Sequence, residues 1–203
     1  MQRRALILAV LALGALATAP AVAQAPQPKA VRGAVTAVTA TQLTVKGTDG
    51  KPVTVALTPD WSVQVTKPIN VSAIVPGSFV GTAEMPGKNG VGRSLEVHVF
   101  PPGVKIGEGH YRWDLKKGAM MTNGTVGKVT AGAKGRELEI SYPTGKRKVV
   151  VPPNVPVVQI VNGDRSMIKP GAQVFLLAFP SPAGNGLITG AVAVGENGSR
   201  PPM

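Results

Sequence analysis

The chain has 203 residues, with 22 Lys and Arg against 10 Asp and Glu for a formal net charge of +12, and its 43% apolar content suffices for one domain or two small ones. Its 25 glycines and 19 prolines disfavour long helices, because each interrupts a helix interior. Zero cysteine excludes disulfides, thiolate metal sites, iron–sulfur clusters and thiol nucleophiles, and two histidines cannot form a three-His site within one chain.

Arg3 and Arg4 precede an almost wholly apolar run from Ala5 to Ala17, and Pro20 leads into Ala21-Val22-Ala23. A basic start, an apolar core of about a dozen residues and an A-x-A site are the parts of a secretory signal peptide. A membrane span needs roughly 20 apolar residues, and Pro20 ends this run early. Cleavage is expected after Ala23, since a cut after Ala25 would face Pro26. Residues 24–30 then form a flexible start, and the mature chain, without Arg3 and Arg4, carries +10. No later stretch is apolar enough to span a membrane, so the product is expected in a bacterial periplasm.

From residue 31 onward the chain repeats itself. Gly33-Ala34-Val35-Thr36-Ala37-Val38 returns as Gly124-Thr125-Val126-Gly127-Lys128-Val129. Leu43 to Val45 matches Leu138 to Ile140, Val53 to Leu57 matches Arg147 to Val151, and Pro76-Gly77 matches Pro170-Gly171. Asn89-Gly90 and Leu95-x-Val97-x-Val99 return as Asn185-Gly186 and Gly190-x-Val192-x-Val194. Each copy alternates apolar and polar residues with period two, as in Leu138, Ile140 and Tyr142 against Glu137, Glu139 and Ser141, the pattern of strands with one buried face. Asp49-Gly50, Pro86-Gly87 and Pro143-Thr144-Gly145 punctuate the strands as turns. Five or six short strands in about 70 residues call for a closed sheet, because an open one leaves unpaired edges. The expectation is all-β: two tandem small OB-like β-barrels, at 31–100 and 122–195, with an inter-module joint at 101–121 and a disordered tail at 196–203.

The joint holds Gly107-Glu108-Gly109-His110-Tyr111-Arg112-Trp113-Asp114 and runs on to Met121-Thr122-Asn123-Gly124-Thr125-Val126. With the G-x-V-x-x-V module starts, this segment resembles a family of exported bacterial proteins of unknown function built from tandem small β modules. The resemblance implies export and a β fold, with no established activity to carry over. Some of those relatives bear metal-transport labels, which do not suit a chain whose sequence offers no permease spans.

Both histidines occur in the pattern Glu-x-His, as Glu96 and His98 and as Glu108 and His110. Residues i and i+2 of a strand share a face about 6.6 Å apart, so each pair offers a carboxylate and an imidazole that would suit zinc or copper. Set against this is an ordinary strand histidine and a loop histidine bonded to backbone. A hydrolase triad from Ser94, one histidine and Asp114 lacks any nucleophile elbow. Carboxylates are too scattered for glycoside chemistry, and no Gly-rich loop opens a helix.

Basic residues are the larger signal. Lys146, Arg147 and Lys148 are consecutive in the second module, and Arg112, Lys116 and Lys117 flank the joint. A positive surface attracts polyanions, and OB-like barrels bind oligonucleotides or oligosaccharides on one sheet face. Few aromatic residues are interleaved for base stacking, which argues against nucleic acid. Tyr111 and Trp113, at i and i+2, either plug the gap between modules or form a ligand-facing wall. The sequence therefore predicts a non-enzymatic periplasmic protein without cofactor that binds an anionic envelope polymer, a lipid headgroup or an acidic protein. Its tentative contacts are Tyr111, Arg112, Trp113, Lys116, Lys117, Lys146, Arg147 and Lys148. The alternative is a divalent-metal protein using Glu96, His98, Glu108 and His110.

Overall fold

The computed structural model describes residues 28–203, so the expected signal peptide and its cleavage site lie outside the described residues. Twelve strands follow in chain order: β1 (Lys29–Val38), β2 (Gln42–Gly47), β3 (Pro52–Pro68), β4 (Phe79–Pro86), β5 (Val91–Val99), β6 (Gly109–Arg112), β7 (Met120–Gly132), β8 (Gly135–Tyr142), β9 (Gly145–Val151), β10 (Val157–Gly163), β11 (Gln173–Pro180) and β12 (Leu187–Gly195). Among the described residues the only helical pieces are four 3₁₀ turns of three residues each. The chain is all-β, as its period-two patterning and turn chemistry require.

Strand pairing closes two five-stranded rings. The first runs β1-β2-β3-β12-β11 and back to β1, and the second runs β7-β8-β9-β5-β4 and back to β7. In each ring one pair is parallel, β3 with β12 and β9 with β5, while the other four are antiparallel. Strand β10 joins the rings, antiparallel to β3 and parallel to β5.

Ring closure does not follow the boundaries expected at 31–100 and 122–195. The first repeat supplies β1 to β3 to one ring and β4 and β5 to the other, and the second repeat does the reverse. The exchange is visible at equivalent points: Val35 N–H donates to Ala172 O at 2.9 Å and Gly171 N–H to Val35 O, while Gly77 N–H donates to Val126 O at 2.8 Å and Val126 N–H to Ser78 O. The cause is the reach of β3. Its 17 residues span about 55 Å at ~3.3 Å per residue, so its far end stands against β10 beside the second ring although β12 follows it as far as Thr66. Its first half pairs with β2, its second half with β10, and the chain then enters the other ring within ten residues. In the second repeat the same path is broken into β9 and β10 by Pro152 and Pro153.

The recurring glycine of the module start has a steric role. A Cβ on Gly33 would collide with the Lys46 carbonyl oxygen and one on Gly124 with that of Ser141, so the strand crossing at each ring needs glycine. A register shift follows at Val35/Ala37 and at Val126/Lys128, bending each long strand around its barrel.

Ring one is filled by aliphatic side chains such as Val35, Leu43, Val55 and Leu176, lidded by Trp61, which is buried. Trp61 lies within β3. The Arg165 guanidinium covers it at 4.8 Å and donates to the carbonyls of Trp61 and Pro59. A third cluster of Ile160, Phe175, Ala193 and Met203 lies where the rings meet.

Two further expectations are corrected. The tail at 196–203 is not disordered: it forms a 3₁₀ turn at Glu196–Gly198, and Met203 is only 5% exposed, because its side chain fills the inter-ring cluster and its carbonyl accepts from Arg32 Nε at 2.6 Å. The segments placed outside the modules are also partly strand. Lys29 and Ala30 pair with β11, and the joint contains β6, which pairs with β7 from Gly109 to Arg112.

The exchange has a direct test, helped by the absence of native cysteine. Ala34 and Gln173 face each other across β1 and β11, and directly paired antiparallel residues have Cα atoms about 4.5–5.5 Å apart, within disulfide range. Ala34→Cys with Gln173→Cys is expected to oxidise to an intramolecular disulfide in the monomer, read by peptide mass mapping. Barrels that each close within one repeat would leave these thiols free.

Candidate functional site

The two rings differ in what fills them. On β4, Val80, Thr82 and Glu84 point into ring two, where the repeat-equivalent β11 residues of ring one are Val174, Leu176 and Ala178. Glu84 is fully buried, and its Oε1 accepts from Arg147 Nε at 2.6 Å and lies 3.6 Å from His110 Nδ1. Thr122 Oγ1 bonds His110 Nδ1 at 2.9 Å, and the His110 ring stacks on Tyr142. Burial pushes the Glu84 carboxyl above its ordinary range, opposed by the hydrogen bond and charge of Arg147. Burial, and then the Arg147 charge, hold His110 below its ordinary value. Glu84 Oε2 has no partner and rests against Gly92, where any side chain would strike it.

A second polar group faces outward from ring two. The Glu96–His98 pair stands on the opposite face of β5 from Val97, which is in the ring core. Glu96 Oε1 accepts from Ala83 N–H at 2.7 Å and Oε2 bonds His98 Nδ1 at 3.0 Å, with both side chains buried. The other wall of this region comes from ring one. Together they enclose a cleft of about 390 Å³. Phe100, Tyr111, Trp113 and Met121 face Phe175 and Ala193 across it, with His98 and Asn123 among the few polar residues of the lining. Five large apolar residues are exposed among the described residues, and three of them, Ile106, Tyr111 and Phe179, belong to this cleft and give it an apolar rim.

Arg32 ties the walls together. It donates to both Asp114 carboxylate oxygens at 2.8 and 3.1 Å and to Met203 O, and its guanidinium lies over Trp113 at 5.7 Å and Phe175 at 5.2 Å. Asn123 Nδ2 donates to Tyr111 Oη at 3.0 Å and Ile106 O at 3.3 Å, which fixes the segment after β5 against β7. Asn123 Oδ1 and Trp113 Nε1 are buried without partners.

The sequence-selected residues separate into groups. Tyr111 and Trp113 line the cleft, and Trp113 also packs on Phe175 beneath Arg32, so their placement fits the plug as well as the wall. Arg112, Lys116 and Lys117 are exposed outside it. Arg147 is not a surface contact, since it points into ring two and holds Glu84, while Lys146 and Lys148 stay outside. That outer face is not uniformly basic, because Glu139 sits in register between Lys128 and Lys148 and lies 3.6 Å from Lys146 Nζ. The four metal candidates do not converge: His98 pairs with Glu96, His110 approaches Glu84, Glu108 is exposed, and no group of three or more His, Asp or Glu side chains suited to a metal occurs among the described residues. The Ser94 triad is not assembled either. Ser94 Oγ bonds Thr82 Oγ1 and Glu96 O, and Asp114 is held by Arg32. Sequence reasoning missed Glu84, Asn123 and Arg32. Aligning the repeats residue by residue would have flagged Glu84, which stands where the other copy has Ala178.

No protein-family model, curated protein or solved structure matches this chain.

The buried pair in ring two sets a pH-dependent stability. Removing one partner of a buried ion pair costs about 3–5 kcal/mol, and in Arg147→Met nothing offsets the burial of Glu84 except Thr122, so its folded-state pKa rises further. Below the unfolded value near 4.5 the carboxyl is protonated in both states and the loss is small; above it the unfolded state is favoured by its free carboxylate. Urea unfolding is expected to show a deficit of about 3 kcal/mol at pH 8 and less than half of that at pH 4. An equal deficit at both values would dissociate the effect from Glu84.

Proposed function

We propose that this chain is a non-enzymatic binding protein of the bacterial envelope that holds a small, largely apolar ligand in the cleft between its two rings. The carrying observation is the cleft itself: about 390 Å³, aromatic on both walls, with a few polar atoms set into it. Those are the properties of small-molecule sites, which form where domains meet. The connectivity supports an OB-like assignment for each ring, a three-strand meander whose third strand runs parallel to the fifth while the fourth closes on the first. The basic, apolar and A-x-A leader supports export to the periplasm. No helix of the described residues is long and apolar enough to cross a membrane.

This reading is preferred to capture of a polyanion on the lysine-rich face, where glutamates interleave with the lysines and Arg147 is turned inward. It also takes up Tyr111 and Trp113 as wall residues.

A neutral naphthalene-class fluorophore such as N-phenyl-1-naphthylamine tests it. The mature protein is expected to bind one equivalent with enhanced emission that 0.5 M salt (roughly a 4 Å Debye length) leaves unchanged, since the contact is apolar. Filling the cleft from β12 with Ala191→Phe is expected to weaken binding by at least about tenfold. Binding unaffected by that substitution, or stabilisation only by acidic polysaccharide and lost in salt, would overturn the reading.

A further inference from the structure

Two unpaired polar atoms stand side by side on the ring-two wall of the cleft and both accept, and this points to the head group of its ligand; the inference rests on the cleft being a ligand site. A carboxylate only accepts, so the bond from His98 to Glu96 Oε2 places the imidazole proton on Nδ1 and leaves Nε2 as an acceptor. Among the described residues no hydrogen bond reaches that Nε2. Beside it stands Asn123, 6% exposed, whose amide orientation is set because Nδ2 donates to the Ile106 carbonyl. Its Oδ1 is therefore a second acceptor, buried and without partner. Both atoms crowd the point where a Cβ on residue 81 would stand, and residue 81 is glycine. The other repeat provides an internal control. The positions equivalent to Gly81, Glu96 and His98 are Phe175, Ala191 and Ala193, so the facing wall is apolar at each of them.

Two neighbouring acceptors with no donor between them need a group carrying two hydrogens. A hydroxyl would satisfy one and leave the other unpaired. An ammonium would bring three donors to two acceptors and leave one unpaired among apolar side chains. We propose that the cleft takes a flat, largely apolar ligand with a neutral N–H₂ head, of the primary carboxamide or aryl-amine class, donating to His98 Nε2 and Asn123 Oδ1 while its body lies among Phe100, Trp113 and Phe175.

The test is an isosteric pair, 2-naphthamide and 2-acetylnaphthalene, which differ in NH₂ against CH₃ on the same carbonyl. Binding to the full mature protein is followed by isothermal titration calorimetry. The amide is expected to bind about 10- to 100-fold more tightly, because the ketone leaves both acceptors unpaired. Asn123→Leu is expected to shrink that preference to under threefold, read as the ratio of the two affinities so that a shift of the cleft wall common to both compounds cancels. Gly81→Ala, whose methyl group would strike His98 Nε2 and Asn123 Oδ1 and push both acceptors out of place, should do the same. If neither compound binds, the cleft reading itself is wrong. If both bind equally to the parent protein, the cleft stands and the head-group assignment falls. If the preference survives in both variants, the N–H₂ group lies elsewhere and this placement is overturned.

Discussion

An extended strand cannot turn back within the ring where it begins once it is longer than that ring's wall, and β3 is such a strand. Its first half pairs with β2, its second half lies between β12 and β10, and the chain is delivered to the partner ring. Everything else in the molecule depends on that delivery. Because each repeat donates two strands across the boundary, neither ring can move away from the other without breaking main-chain ladders. Two barrels joined by a linker would pivot on a small interface. Here the walls of the cleft share strands, so the space between Phe175 and His98 is fixed by hydrogen-bonded backbone.

The two rings share one strand order and differ in what fills them. Ring one is a uniform aliphatic core. Ring two replaces Leu176 and Ala178 by Thr82 and Glu84, and Val53 by Arg147, at the cost of desolvating a charged pair. Replacing such a pair with aliphatic residues often leaves stability unchanged or improved, so its presence reflects something other than packing energy. The same asymmetry reaches the cleft, where the ring-two wall carries Glu96, His98 and Asn123, and the ring-one wall carries alanine and phenylalanine. A polar wall facing an apolar one would orient the proposed ligand by its two dissimilar ends.

The joint and the tail share one organiser. Arg32 forms a fork to Asp114, bonds the Met203 carbonyl and stacks over Trp113 and Phe175. A guanidinium can do this because its donors lie in a plane and its faces are weakly hydrated. It is the repeat equivalent of Asn123, so the two walls of the cleft are each anchored by the same position of the module, through different chemistry.

The sequence by itself determined the all-β composition, the turns and the module-start glycines, because alternation and turn chemistry are local properties of a chain. Tertiary structure alone decided which repeat closes which ring, since the same local pattern suits a strand that stays and a strand that crosses. It decided that Arg147 turns inward while Lys146 and Lys148 do not, because three consecutive basic residues look alike until a buried carboxylate across the barrel selects one. Glu84 is 63 residues from Arg147 along the chain, and Arg32 is 171 from Met203. Distances of that order are set by ring closure, which no local pattern encodes.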